Sequence, residues 1–313
     1  MTAIEVRGAT KRYGDVTAVS DLDLTVEEGE VYGFLGPNGA GKSTTIDMLL
    51  DFVRPTAGEV TVLGHSAREE SVAIRERAGV LPEAFGVYSR LTGRQHLDFA
   101  VESKEVDDDP DAILERVGLA GEEDRRAGDY SKGMRQRLAL GMALVGEPDV
   151  LLLDEPSTGL DPNGAREMRT IVSEENERGA TVFFSSHILG QVEAVCDRVG
   201  ILREGSLVAE DSVEGLREAV GTESTLHVTV ESVDEDALEA VRTLDGVSRV
   251  RVDGTTVTVG CDDSAKTRVI GALEEEGTSV VDFETQEASL EELFVAYTEE
   301  VDDEAGGGEE AAS

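Results

Sequence analysis

Hydrophobic and polar positions fall into two textures along the chain. Up to about residue 215, short unbroken apolar runs alternate with stretches of helical spacing, which reads as α/β. Val31-Tyr-Gly-Phe-Leu35, Val150-Leu-Leu-Leu153 and Thr181-Val-Phe-Phe-Ser185 are strand-length and apolar enough for strands buried on both faces. A glycine-rich turn follows the first run, and a helix is expected from about Gly41 to Phe52. Met134, Leu138, Met142 and Val145 recur at helical spacing as a core-facing stripe, within a helical region expected at about 90–145.

From about Thr225 the pattern changes. Thr225–Val230 alternates like a strand and Asp234–Leu244 reads as a helix. Val247–Val252 and Thr255–Val259 flank a hairpin turn at Asp253-Gly254. A helix at Ala265–Glu276 and a strand at Val280–Thr285 complete the order β-α-β-β-α-β, the ferredoxin-like α+β arrangement. Leu290, Leu293, Phe294 and Tyr297 then mark one more helix, and residues 299–313 are expected to form a disordered acidic tail. The expected domains are therefore 1–215, 222–298 and the tail.

Charge narrows the choice of partners. The 313 residues carry 67 Asp and Glu against 28 Lys and Arg, a formal net charge of −39. This opposes nucleic-acid binding, whose footprint is a basic patch, and opposes docking on anionic lipid. The acids are spread over both halves, as in adaptation to a salt-rich cytoplasm such as that of a halophilic archaeon, where screening is strong. Two cysteines are too few for a disulfide framework, and no run reaches the roughly 18 apolar residues of a membrane helix. The start lacks the apolar stretch of a secretory signal, so a cytosolic protein is expected.

The chemistry concentrates at strand ends. Gly36-Pro37-Asn38-Gly39-Ala40-Gly41-Lys42-Ser43-Thr44 has the G-x-x-x-x-G-K-[ST] pattern between an expected strand and helix. Such a loop turns its backbone N–H groups onto phosphates, while Lys42 can reach the β- and γ-phosphates and Ser43 can offer a hydroxyl to Mg²⁺. Asp154 and Glu155 end the second apolar run. The first can hold Mg²⁺, and the second can polarise an attacking water. His65, His96 and His227 stand isolated and read as structural.

With those motifs in order over residues 3–215, the chain resembles the ATP-binding subunit of an ATP-binding cassette (ABC) transporter: a P-loop domain with a helical subdomain. The resemblance implies ATP hydrolysis by Glu155 and His187, with His187 in Ser185-Ser-His187 contacting the γ-phosphate and orienting the water. It implies adenine stacking on Tyr13, a signature sequence at Tyr130–Gln136 whose Ser131 and Gly133 meet the nucleotide of an opposite subunit, and a site-coupling loop ending at Asp161. Two departures stand out: Glu83 occupies the family's usual glutamine, a metal-binding position, and Lys132 occupies a usual glycine.

The resemblance further implies a head-to-tail dimer, and a separate transmembrane permease that anchors the subunit to the inner face of the membrane. The segment Ala84–Tyr88 offers aromatic anchors for it. The small C-terminal domain resembles the appendage of exporter-type members. A cytosolic ABC ATPase acting on ribosomes or nucleic acid is the rival reading, and a module without catalysis a third. The single cassette and the acidic charge oppose the first, and Asp154, Glu155 and His187 oppose the second.

Overall fold

The computed structural model describes residues 1–219 and 224–286. The helix expected around Leu290–Tyr297 and the tail at 299–313 lie outside those residues. The chain divides into two compact units, Met1–Val213 and Glu214–Ser313.

The first unit opens with long strands β1 (Thr2–Tyr13) and β2 (Val16–Glu27), then β3 (Val31–Leu35) and helix α1 (Lys42–Leu49). Strands β4 (Ala57–Val62) and β5 (His65–Ser66), helix α2 (Ser71–Arg77) and strand β6 (Ala78–Leu81) follow. A helical stretch comes next, with α3 (Gly93–Lys104), α4 (Pro110–Arg116) and α5 (Lys132–Leu144). Alternation resumes with β7 (Val150–Asp154), α6 (Pro162–Glu177), β8 (Thr181–Ser186), α7 (Leu189–Glu193), β9 (Arg198–Arg203) and β10 (Ser206–Ser212). Helix α8 (Val213–Ala219) leads into the second unit.

Two sheets build the first unit. The main sheet has the order β10-β9-β3-β8-β7-β6, parallel except for the β9–β10 pair. β3, β7 and β8 are buried at every residue, which accounts for their unbroken apolar runs. Tyr32 stacks on Phe183 at 5.7 Å and Phe34 packs against the same ring at 5.1 Å, at the centre of this core. Register aligns the strand ends: Leu35 faces Ser186, Asp154 faces Ser185 and Leu81 faces Leu153. The loops after β3, β6, β7 and β8 therefore leave from one carboxyl edge, where open parallel sheets collect their ligands.

A second, antiparallel sheet, β2-β1-β4-β5, was not anticipated as a separate layer. Its signal is the alternation Leu22, Leu24, Val26, all buried while their neighbours are exposed. Helix α1 stops at Leu49, short of Phe52, because Asp51 adopts a left-handed φ of 55°.

The second unit contains β11 (Ser224–Val230), α9 (Glu235–Arg242), β12 (Val247–Asp253), β13 (Thr256–Cys261), α10 (Lys266–Glu275) and β14 (Val280–Gln286). The order β12-β13-β11-β14, antiparallel throughout, is the ferredoxin-like sheet. Leu226, Val228, Val257 and Val259 face α9 and α10 residues such as Val241 and Val269 in one core.

Candidate nucleotide site at the carboxyl edge of the sheet

The loop after β3 is shaped by close backbone approach. A Cβ on Gly36 would stand 2.4 Å from Leu202 O, and one on Gly41, at φ 111°, 2.4 Å from Ala18 O. Only glycine fits both places. Gly41 precedes α1, whose first turn carries no acidic side chain, so the helix presents its positive end unopposed. Asn38, Gly39, Gly41, Lys42, Ser43, Thr44, Glu83 and Glu155 line one pocket of about 170 Å³, together with Ala18. Pro37 contributes its carbonyl to Lys42, and Ala40 is buried in the core behind the loop.

Lys42 is 6% exposed and donates from Nζ to Gly36 O at 2.7 Å and Pro37 O at 3.3 Å. Glu155 Oε1 is 3.3 Å from the same ammonium, an ion-pair contact outside hydrogen-bond geometry. His187 Nδ1 donates to Glu155 Oε2 at 2.8 Å. Glu155 itself sits at a left-handed φ of 50°, where a non-glycine backbone is strained; its N–H is tied to Ser185. Three strand ends thus meet on one carboxylate: Lys42 follows β3, Glu155 follows β7 and His187 follows β8.

Asp154 is buried and accepts a hydrogen bond from Ser185 Oγ. Ser43 Oγ donates to Glu83 Oε2 at 3.4 Å, so the residue in the usual glutamine's place reaches the phosphate loop. Asp47, on α1, has its carboxyl pushed above the ordinary range by burial and by the charge of Asp154. Neither was legible in the sequence: the Asp47 pair depends on which face of α1 meets β7, and the Ser185 bond on the pairing of β7 with β8.

Other expected site residues lie outside this pocket. Tyr13 is 49% exposed, with Lys11 Nζ 4.9 Å from its ring centroid. Ser131 and Asp161 cap α5 and α6, accepting from Met134 N at 3.1 Å and Gly164 N at 2.7 Å. Tyr130, next to Ser131, is buried and donates to Glu122 O at 2.6 Å. Gln136 Nε2 donates to Pro156 O at 2.9 Å, and Ser157 Oγ to Gln191. His96 is structural, as expected: it is buried, and its ring joins Thr92 O at 2.7 Å to Tyr88 N at 3.0 Å.

Residues 19–158 match the ABC transporter family, and residues 212–298 match the family described as ATP-binding protein DrrA1-3-like, C-terminal domain. A daunorubicin resistance ATP-binding protein of Streptomyces coeruleorubidus is 36% identical over 304 residues, covering 95% of this chain and 96% of that protein. The chain belongs to the ABC transporter ATP-binding family. The linearmycin resistance ATP-binding protein of Bacillus subtilis (strain 168) is 31% identical over 304 residues, covering 94% of this ABC protein and 98% of the relative. A solved ATP binding subunit of an ABC transporter superposes with a TM-score of 0.65 at 28% identity, over 70% of this chain and 94% of that one. This ABC subunit thus binds ATP and hydrolyses it to drive transport. Among the described residues no helix is long and apolar enough to cross a membrane.

Proposed function

We propose that the protein is the ATPase subunit of an exporter, acting as a closing dimer on a separate permease, with Glu155 as the residue that activates water. The observation that carries this reading is the Lys42–Glu155–His187 cluster beside the phosphate loop. The triphosphate is a stronger partner for Lys42 than a lone carboxylate, so its arrival draws the ammonium off Glu155. Glu155 then accepts a proton from the attacking water. His187, held through Nδ1, keeps Nε2 as its second hydrogen-bonding atom for the γ-phosphate. Loop N–H groups and the α1 dipole carry the charge that develops on the phosphate oxygens.

Mg²⁺ fits the donors present, since Ser43, Glu83 and Asp154 are all hard oxygen ligands and the first two are already in contact. Among the described residues no three His, Cys, Asp or Glu side chains are grouped so as to hold a metal, and Glu83 and Asp154 would act together with the Ser43 hydroxyl. When bound, the ion would supply charge neutralisation beside the phosphate loop.

The permease and the second copy are part of the proposal. Tyr88, in the segment expected to dock, is exposed, and His96 fixes that loop from behind. The resistance names of both relatives favour outward transport of a drug-like small molecule. Docking on a permease through the Tyr88 loop would hold the subunit at the inner membrane face without any use of lipid charge. The −39 charge continues to oppose nucleic acid and favours a saline cytoplasm. The test is Glu155→Gln. It should keep ATP binding, abolish turnover and accumulate an ATP-dependent dimer on size-exclusion chromatography; undiminished ATPase activity would refute the role of Glu155.

A further inference from the structure

Ser185 places a hydroxyl where the main sheet is most apolar. It follows Phe183 and Phe184 in β8, lies level with Phe34 of β3 on one side and Asp154 of β7 on the other, and is fully buried. A hydroxyl sealed away from water is costly unless it is bonded, and alanine would avoid that cost. The serine therefore needs a reason.

Its oxygen is bonded on both sides. The proton goes to Asp154 Oδ1, because an ionised carboxylate can only accept. A lone pair of the same oxygen accepts from Glu155 N at 3.2 Å, and that N–H is shared with Ser185 O, also at 3.2 Å. Each link polarises the other, so the two acids that end β7 are joined through one atom.

Both acids depend on this support. Among the described residues the Ser185 hydroxyl is the only hydrogen-bond donor to the Asp154 side chain, so it commits Oδ1 and leaves Oδ2. Glu155 has a left-handed φ of 50°, a strained backbone that persists only where its surroundings dictate it.

The geometry points to Ser185 as a positioning residue for both acids. It fixes the Asp154 carboxylate so that Oδ2 stays available to Mg²⁺ or the water that the ion carries, and it holds Glu155 in the conformation that brings its carboxylate to Lys42 and His187. The inference rests on the roles proposed above for Asp154 and Glu155.

The test titrates the full-length chain and its variants with a non-hydrolysable ATP analogue, in Mg²⁺ and in EDTA, and measures kcat at saturating MgATP. Affinity in EDTA reports the phosphate loop and should not change. Ser185→Ala should cut the gain in affinity brought by Mg²⁺ about five-fold and lower kcat about ten-fold, the loss of one charge-assisted bond and of the hold on Glu155. In an Asp154→Ala background the same substitution should take nothing further from the Mg²⁺ gain. Ser185→Cys keeps a weaker donor and should show both losses at smaller size; it decides the matter if the alanine variant does not fold. An unchanged Mg²⁺ gain, or a further loss in the double variant, would overturn the Asp154 contact, and an unchanged kcat would overturn the hold on Glu155. Equal losses of affinity in EDTA and in Mg²⁺ would make the serine structural and overturn both. A full Mg²⁺ gain in Asp154→Ala, or turnover in E155Q, would instead refute the role proposed for that acid, and its positioning with it.

Discussion

Glu175 provides a quantitative test of how the helical segment is held to α6. It is 3% exposed and accepts from Arg116 Nη1 at 2.6 Å, Arg178 Nη2 at 2.7 Å and Arg178 Nε at 3.1 Å. Arg116 belongs to α4 and Arg178 caps α6, so one buried anion joins the two elements. Glu175→Ala leaves both guanidinium groups without it. Breaking a fully buried pair from one side costs about 3–5 kcal/mol. Here the arginine side chains remain 36% and 32% exposed, and Arg116 keeps Glu174 at 3.0 Å. A cost of about 2–3 kcal/mol is therefore expected. For a unit of residues 1–213, at about 2–4 °C per kcal/mol, Tm should fall by about 5–10 °C. Glu174→Ala removes the exposed partner of the same arginine and should cost less than about 1 kcal/mol. Thermal unfolding followed by circular dichroism, at low and at molar KCl, measures both. Salt should erase the Glu174 effect and spare the Glu175 effect, because buried pairs are screened less. Equal shifts in the two variants, or a Glu175 loss that vanishes in salt, would refute the reasoning.

Glu83→Gln should retain ATPase activity and Glu83→Ala should lose most of it, since either oxygen can face a metal while a methyl cannot; an unchanged rate in Glu83→Ala would remove the residue from the site. The carboxyl of Asp47 is raised in the folded state, so its contribution to stability is present at acid pH and lost as pH rises through that raised value. Asp47→Asn should accordingly raise Tm at neutral pH and lose its advantage below the ordinary carboxylate range, and a constant difference across pH would contradict the assignment. The purified chain should gain stability as KCl rises toward molar concentration, because self-repulsion from a net charge of −39 is screened over roughly 3 Å at 1 M; equal stability without salt would count against the saline-cytoplasm reading.

Much of the fold was legible where physics is local. Strands buried on both faces show as apolar runs, so β3, β7 and β8 were found nearly to the residue. The Asp253-Gly254 turn fixed the β12–β13 hairpin, and with it the ferredoxin-like order. The sheet β2-β1-β4-β5 was missed because pairing β1 with β4 joins residues some fifty positions apart, which no local pattern records. The same holds at the site. Lys42, Ser43 and Glu155 announce themselves by spacing and strand context. The ion pair of Lys42 with Glu155, the support of Asp154 by Ser185 and the grip of Gln136 on Pro156 emerge only when separate strands and helices come together.

The left-handed backbone at Glu155 bears on how this protein can change over time. A glycine would relax that φ of 50° at no steric cost, whereas holding a side chain there costs of order 1–3 kcal/mol. Drift toward greater robustness therefore has an easy route that passes through the residue assigned to hydrolysis. Selection for heat tolerance alone, in the laboratory or in nature, would tend to yield chains that fold better and turn over no ATP. A stabilisation campaign on this subunit has to hold position 155 constant and find its gains elsewhere, such as at Asp47.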